Sequence, residues 1–249
     1  MITPFAGRPG PYVIGHRGAS GYAPENTMVS FERALALRAD AIELDVHPTS
    51  DGELIVMHDP MLDRTTNGHG LISTHTLAQI RELDAGSWFD PAFKGERVPT
   101  LHEVLEWAHG RTKVVIEIKQ GPIFYSNIVE LLIAALERDG MRGEVLVISF
   151  DHYSVRRVKE LAPEIATGVL YAARCINPVA LARDAGADAL LPQWALLTRE
   201  EVEAAHQANL FIAPWGGAEQ DYRYILSTGV DAVSGDYPDR PRQVMDAGA

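Results

Sequence analysis

The sequence predicts an α/β protein, a closed (β/α)8 barrel of the TIM type with a small insertion after the second strand. Three observations predict it. Strand-like and helix-like segments alternate along the chain. The strands are short, nearly continuous apolar runs, as in parallel sheets covered on both faces. The 249 residues match the roughly 250 that one such barrel uses. Residues 1–249 therefore read as one domain. An open doubly wound sheet is the alternative, but eight principal strands and no Gly-x-Gly-x-x-Gly favour closure.

The elements follow in order. Residues 12–15 form a short buried strand. Asn26 is the expected N-cap of a helix reaching Arg38, with Val29, Phe31, Ala34, Leu35 and Leu37 in its apolar pattern. The second strand is 41–46. Asp51-Gly52 reads as a hairpin turn into an extended piece, 52–57. Residues 59 to about 100, rich in Gly, Thr, Asp and Pro, read as an insertion over one end of the domain, with a helical piece near 77–83. Thr100 then caps a helix to His109. Strands at 113–118, 144–149, 166–170, 188–191, 210–213 and 231–234 alternate with helices at 127–138, 153–161, 178–185, 199–208 and 219–227, and a last helix starts at Pro238. Arg183-Asp-Ala-Gly-Ala-Asp-Ala189 and Ser227-Thr-Gly-Val-Asp-Ala-Val233 share one grammar: helix end, glycine stop, buried strand.

Composition narrows the partners. A hydrophobic fraction of 46% with 22% charged residues supports a large core. A net charge of −12 argues against nucleic acid, which needs a basic surface. The expected partner is a small molecule. Cys175 is the one cysteine and has no neighbouring His or Asp, so it reads as an ordinary thiol in a reducing compartment. Residues 1–11 show no secretory pattern, and no run approaches the ~20 apolar residues of a membrane span. A cytoplasmic enzyme with no stable membrane insertion is the expectation.

The chemistry collects at strand ends, where such barrels carry their active sites. The first strand runs into His16-Arg17, the second contains Glu43 and Asp45, the hairpin ends in His58-Asp59, and the next strand carries Glu117 and Lys119. Phe150-Asp151, Trp215 and Asp236 end three others. Glu43 and Asp45, two apart on a strand, point the same way. With Glu117 they would repel unless a cation sat among them, and oxygen-only ligands suit Mg2+ or Ca2+. Arg17 and Lys119 supply positive charge for a phosphate or for the carboxylates. His16 and His58 are placed to exchange protons, and either fits either role. His47 is a candidate support. The other six histidines, 69, 75, 102, 109, 152 and 206, read as surface or capping groups.

At these residues the sequence resembles the glycerophosphodiester phosphodiesterases. The matching stretches are His16-Arg-Gly-Ala-Ser-Gly-Tyr-Ala-Pro-Glu-Asn-Thr27, Glu43-Leu-Asp-Val46, Asp51-Gly-Glu-Leu-Ile-Val-Met-His-Asp-Pro60, Leu62-Asp-Arg-Thr-Thr-Asn-Gly68, Glu117-Ile-Lys119 and Ser149-Phe-Asp151. They run in order through about the first 60% of the chain. The resemblance implies a divalent ion on Glu43, Asp45 and Glu117, His16 and His58 as the acid/base pair, and Arg17 and Lys119 on the phosphate. It implies hydrolysis of a glycerophosphodiester to sn-glycerol 3-phosphate and an alcohol. Where the family often has Trp-Thr-Val-Asn, this chain has Trp215-Gly-Gly-Ala218, which keeps Trp215 as a pocket residue and loses two polar groups.

The rivals make distinct demands. A lysophospholipase D or cyclising lyase needs an exposed apolar rim. Trp88, Phe89 and Phe93 are the visible candidates, and they read better as the insertion's small core. A non-catalytic phosphodiester-binding barrel should have lost a histidine or a carboxylate, and all five are present.

Overall fold

Apolar runs too buried to be solvated on either face have to curl into a sheet with an inside and an outside. In the computed structural model, which describes residues 3–5 and 10–247, they do so as a nearly closed barrel of eight parallel strands with helices between them. Most of segment 1–11, read above as lacking a secretory pattern, lies outside the described residues. The elements are β1 (Tyr12–Gly15), α1 (Met28–Ala36), β2 (Ala41–Pro48), β3 (Leu54–Val56), α2 (Leu77–Ile80), α3 (Leu101–Ala108), β4 (Lys113–Ile118), α4 (Ile128–Arg138), β5 (Val145–Ser149), α5 (His152–Leu161), β6 (Ala166–Tyr171), α6 (Pro178–Ala185), β7 (Ala189–Pro192), α7 (Arg199–Gln207), β8 (Phe211–Ile212), α8 (Tyr222–Ser227), β9 (Ala232–Gly235) and α9 (Asp239–Ala247). The strand order is β8-β7-β6-β5-β4-β2-β1-β9, with β3 antiparallel on the outer half of β2.

Strand parity decides what faces in. On β2, Ile42, Leu44 and Val46 pack outward with Phe31, Val104 and Leu105 of the helices. Ala41 faces inward, into a lumen core with Ile14, Val115, Leu146 and Phe211. Glu43 and Asp45 share that inward parity, so the same alternation that buries the core aims two carboxylates into the barrel.

The strand starts repeat a device that sequence pattern shows only in part. Arg38-Ala-Asp-Ala41, Gly186-Ala-Asp-Ala189 and Gly229-Val-Asp-Ala232 each open with a left-handed residue, at φ 67°, 67° and 91°. The aspartate then accepts the N–H of the neighbouring strand: Asp40 Oδ2 from Val13 at 2.7 Å, Asp188 Oδ2 from Thr167 at 3.0 Å, and Asp231 Oδ2 from Ile212 at 2.8 Å. Arg242, Lys159 and His206 pair these carboxylates. Arg38 takes the glycine's place in the first copy, which hides it from a search for Gly stops. The third copy joins β8 to β9, where Asp231 N also donates to Ile212 O at 2.9 Å. Asp231→Ala should leave the buried Ile212 N–H unpaired, at about 1–3 kcal/mol. The expected result is a melting temperature lower by roughly 2–10 °C, measured by calorimetry.

Several boundaries differ from expectation. Thr27, not Asn26, caps α1, its hydroxyl accepting from Ser30 N. The helical piece expected at 77–83 ends at Ile80, and the strand expected at 210–213 shortens to two residues. Residues 219–221 form a 3-10 turn ahead of α8. The 59–100 segment packs on an aliphatic cluster of Ile55, Met57, Leu62, Ile72, Ile80, Ala85 and Val98. Trp88, Phe89 and Phe93 lie outside that cluster and stack edge-on against one another, Trp88 exposed, so they are not its core.

Candidate active site

The carboxylates come first, because their burial is the costliest feature of the lumen. Asp45 and Glu117 are register partners on β2 and β4, and Glu43 sits one inward step below Asp45. Ligand atoms of Glu43, Asp45 and Glu117 lie within 4.8 Å of one another, and all three residues are buried. Each spends one oxygen on a protein donor: Glu43 Oε2 accepts from Arg17 N at 2.8 Å, Asp45 Oδ2 from Asn26 Nδ2 at 2.9 Å, and Glu117 Oε1 from Lys119 Nζ at 2.8 Å. Asp45 Oδ1 is buried with no hydrogen bond, and Lys119 Nζ is 3.6 Å away.

Charge state follows from this crowding. Burial and the charge of Asp45 push the Glu43 and Glu117 carboxyls up to about 7. Burial also works against ionised Asp45, but Lys119 and Arg17 outweigh it and hold its pKa below the ordinary value. Three oxygen donors with one orphaned buried oxygen fit a hard divalent cation, which would replace the protons that two of them retain.

The loop from His16 to Thr27 carries the rest of this side. Arg17 takes a left-handed φ of 52°, held where Glu43 receives its N–H and Ser30 Oγ donates to its carbonyl at 2.9 Å. Gly18, at φ 87°, passes so close to Ser30 that a Cβ would lie 2.4 Å from its hydroxyl. Asn26 is also left-handed, at φ 57°, which turns its amide to Asp45 instead of capping α1. The Arg17 guanidinium reaches Glu25 Oε1 through Nη1 at 2.9 Å and lies 3.4 Å from Asp45 through Nε.

Each candidate histidine is oriented by an aspartate. His16 Nδ1 donates to Asp236 Oδ1 at 2.6 Å, and His58 Nδ1 to Asp59 Oδ1 at 2.7 Å. That leaves Nε2 of each for the pocket that both rings line. Their charges diverge. Burial resists protonation of His16, yet the bond to Asp236 and the charge of Glu43 raise its pKa. At His58, burial together with Arg17 and Lys119 prevails over Asp45 and Asp59, and its pKa falls. His47 supports this arrangement from beneath. Burial holds it down to about 4, so it is neutral. Its Nε2 donates to His58 O and its Nδ1 accepts from the Tyr125 hydroxyl, both at 3.0 Å.

The pocket encloses about 600 Å³ open to solvent, and His16, Arg17, Glu43, His58, Glu117, Lys119 and Trp215 all line it. Asp45, 1% exposed, lies below them. The opposite wall is apolar, built from Ile148, Leu170, Leu191, Ala213 and Pro214, with Phe150 and Trp215 perpendicular at 5.3 Å between ring centroids. Trp215 is fixed by its indole N–H on Tyr171 O at 3.3 Å. Asp151 does not belong here; it caps α5 through Ser154. Of the six background histidines, 69, 102, 109 and 206 pair with carboxylates outside the pocket, and 75 and 152 donate to backbone carbonyls. Cys175 is half-buried, and burial raises its pKa, which suits an inert thiol. Residue types at strand ends could find His16, Glu43 or Lys119. They could not find Glu25 and Arg64, whose roles arise from pairing between loops.

Fold and site together define the class, a barrel hydrolase of phosphodiesters. Comparison with known proteins narrows it: the chain belongs to the glycerophosphoryl diester phosphodiesterase family, whose model matches residues 16–240. A glycerophosphodiester phosphodiesterase of Caldanaerobacter subterraneus subsp. tengcongensis is 42% identical over 229 residues, covering 91% of this chain and 94% of that one. A crystal structure of the Agrobacterium tumefaciens glycerophosphodiester phosphodiesterase superposes with a TM-score of 0.83 at 34% identity, over 94% and 99% of the two chains. An Oleispira antarctica phosphodiesterase, solved in complex with the product sn-glycerol-3-phosphate, superposes with a TM-score of 0.85 at 30% identity, over 95% and 97%. Among the described residues no helix is long and apolar enough to cross a membrane.

Proposed function

We propose that this glycerophosphodiester phosphodiesterase releases sn-glycerol 3-phosphate and an alcohol, using a divalent cation, Mg2+ or Ca2+, held by Glu43, Asp45 and Glu117, with His16 and His58 moving the protons. The observation that carries the reading is the matched pair of histidines, each with Nδ1 committed to an aspartate, beside the three converging carboxylates. The cation, when bound, would draw charge from the phosphoryl oxygens. Arg17 and Lys119, which both line the pocket, add positive charge on the same side. One histidine accepts the proton of a glycerol hydroxyl as that oxygen bonds to phosphorus. The other gives a proton to the alkoxide as its P–O bond breaks. Water then opens the cyclic phosphate, and the two histidines reverse roles. Trp215 and Phe150 offer an apolar wall to the carbon skeleton of the substrate. The lone thiol supports a reducing, cytoplasmic setting.

A diester bearing an acyl chain is the second reading, favoured by one observation. Phe124 is 74% exposed and Tyr153 84%, and Ile176 is fully exposed. All three sit where β strands pass to α helices, the end of the barrel that holds the pocket. These residues, rather than the rim candidates Trp88, Phe89 and Phe93 of the insertion, are the exposed apolar groups at that end.

The test is release of glycerol 3-phosphate from glycerophosphocholine by purified protein with Mg2+, with Ca2+, and with excess EDTA. Release with a metal and none with EDTA is expected. Choline release from lysophosphatidylcholine alone would transfer the assignment to the second reading, and no release from either would overturn both.

A further inference from the structure

The 59–100 segment lends no side chain to the pocket lining, although it packs beside it. Its aliphatic cluster anchors it, and Arg81 of the segment forks onto Glu103 of α3 at 2.7 and 2.8 Å, away from the pocket. One residue reaches from it toward the catalytic loops. Arg64 Nη1 donates to Glu25 Oε2 and Nη2 to Glu25 Oε1, both at 2.8 Å. Arg64 Nε donates to Asp59 Oδ2 at 2.7 Å, and Nη2 also reaches Asp59 Oδ1 at 3.1 Å. One guanidinium thus forks onto two carboxylates.

Each of those carboxylates has a second duty. Glu25 Oε1 also takes Arg17 Nη1, and Asp59 Oδ1 also takes His58 Nδ1. The hydrogen bond from Arg64 is the main cause of the depressed pKa of Asp59. At Glu25, burial opposes ionisation and Arg64, with Arg17, overcomes it. Both are therefore anions, and without the guanidinium between them they would repel. Arg64 is 42% exposed, where a simple ion pair adds little to stability. A fork onto two groups that each steer a pocket residue does more for orientation than for folding.

We infer that Arg64 is a positioning residue: by clamping Glu25 to Asp59 it sets the Arg17 guanidinium and the His58 imidazole, and this clamp is what the 59–100 segment contributes to the reaction. The inference rests on the hydrolytic reading above. Arg64 is not among the residues that line the pocket, so its loss acts through its neighbours.

The test compares wild type, Arg64→Ala, Arg64→Lys, Asp59→Asn and the double variant R64A/D59N in the glycerophosphocholine assay with saturating divalent cation. Histidine-labelled samples are examined in parallel by imidazole 15N NMR. For Arg64→Ala, kcat should fall about 10–100-fold, with KM changed far less and the melting temperature within about 5 °C of wild type. Arg64→Lys, which keeps the charge and loses the fork, should recover only part of kcat. The double variant should be no worse than about threefold below the poorer single variant, because both act on His58 through one contact. In the NMR spectra the fixed Nδ1–H form of His58 should give way to mixed tautomers. That readout stands even if the wild type does not cleave glycerophosphocholine. A kcat within threefold of wild type, an unchanged His58 tautomer, or fully multiplicative losses would overturn the inference. If Arg64→Ala fails to fold, Arg64→Lys decides: full kcat, or failure to fold as well, would make Arg64 dispensable or merely structural.

Discussion

Alanine at His16 or at His58 should lower kcat by about 10²–10⁴-fold on the preferred diester, with either substitution sufficient. Hydrolysis of a phosphodiester needs one proton removed from the attacking oxygen and one delivered to the leaving oxygen. The two imidazoles that line the pocket are the groups poised for this, since the three carboxylates converge on a site that suits a cation and Arg17 and Lys119 stay charged. Their opposite pKa shifts make His16 the ring that keeps its proton to higher pH and His58 the ring that loses it sooner. A pair split this way works in both directions as the roles reverse. Neither substitution removes a backbone contact, because the His16 backbone N–H still donates to Gly235 O and His58 O still receives His47. The melting temperature should therefore stay near that of wild type while activity collapses. Asp59→Asn and Asp236→Asn keep the rings and disturb only their orientation, so milder losses of about 10–100-fold are expected. A loss below tenfold in either histidine variant would remove that residue from the proton-transfer scheme.

How much of this was legible in the sequence differs between residues for physical reasons. Glu43, Asp45 and Glu117 could be read because strand parity is rigid: once β2 and β4 are recognised, their inward faces follow. His16 and His58 could be read because each follows a buried apolar run. Asn26 was misread because Asn and Thr both cap helices, and what separates Asn26 from Thr27 is a left-handed φ. Arg64 was invisible as a site residue. Its partners lie 5 and 39 positions away on different loops, and such pairing carries no periodicity. The strand-leading aspartates were half visible: two copies share a glycine, and the third replaces it with Arg38. Trp88, Phe89 and Phe93 looked like a core by composition, yet aliphatic residues from the hairpin and the segment had already filled that space.

Metal removal should expose the strain in the carboxylate triad as a dependence on pH. Glu43 and Glu117, whose pKa values rise from 4.5 to about 7 through burial and the nearby charge of Asp45, bind protons in the folded, metal-free protein that the unfolded chain has already released. Between about pH 4.5 and 7 the folded state therefore holds more protons, so these two groups take stability away as pH rises through that window. Above it the full cost of two uncompensated buried carboxylates is present. A bound divalent cation replaces those protons, and its affinity must then climb with pH over the same range. With two protons displaced near pH 7, calorimetric titration should show Mg2+ or Ca2+ binding roughly 100-fold tighter at pH 8 than at pH 6. Asp59 and Asp236 do not blur this result, because their depressed pKa values keep them ionised throughout. His47, held down to about 4, is neutral on both sides. Glu43→Gln removes one of the two protons and one ligand, so it should weaken binding and flatten the slope together. An affinity unchanged from pH 6 to 8 would show that the triad is not the cation's seat, and the positive charge that satisfies Asp45 would then have to come from Lys119 and Arg17 alone.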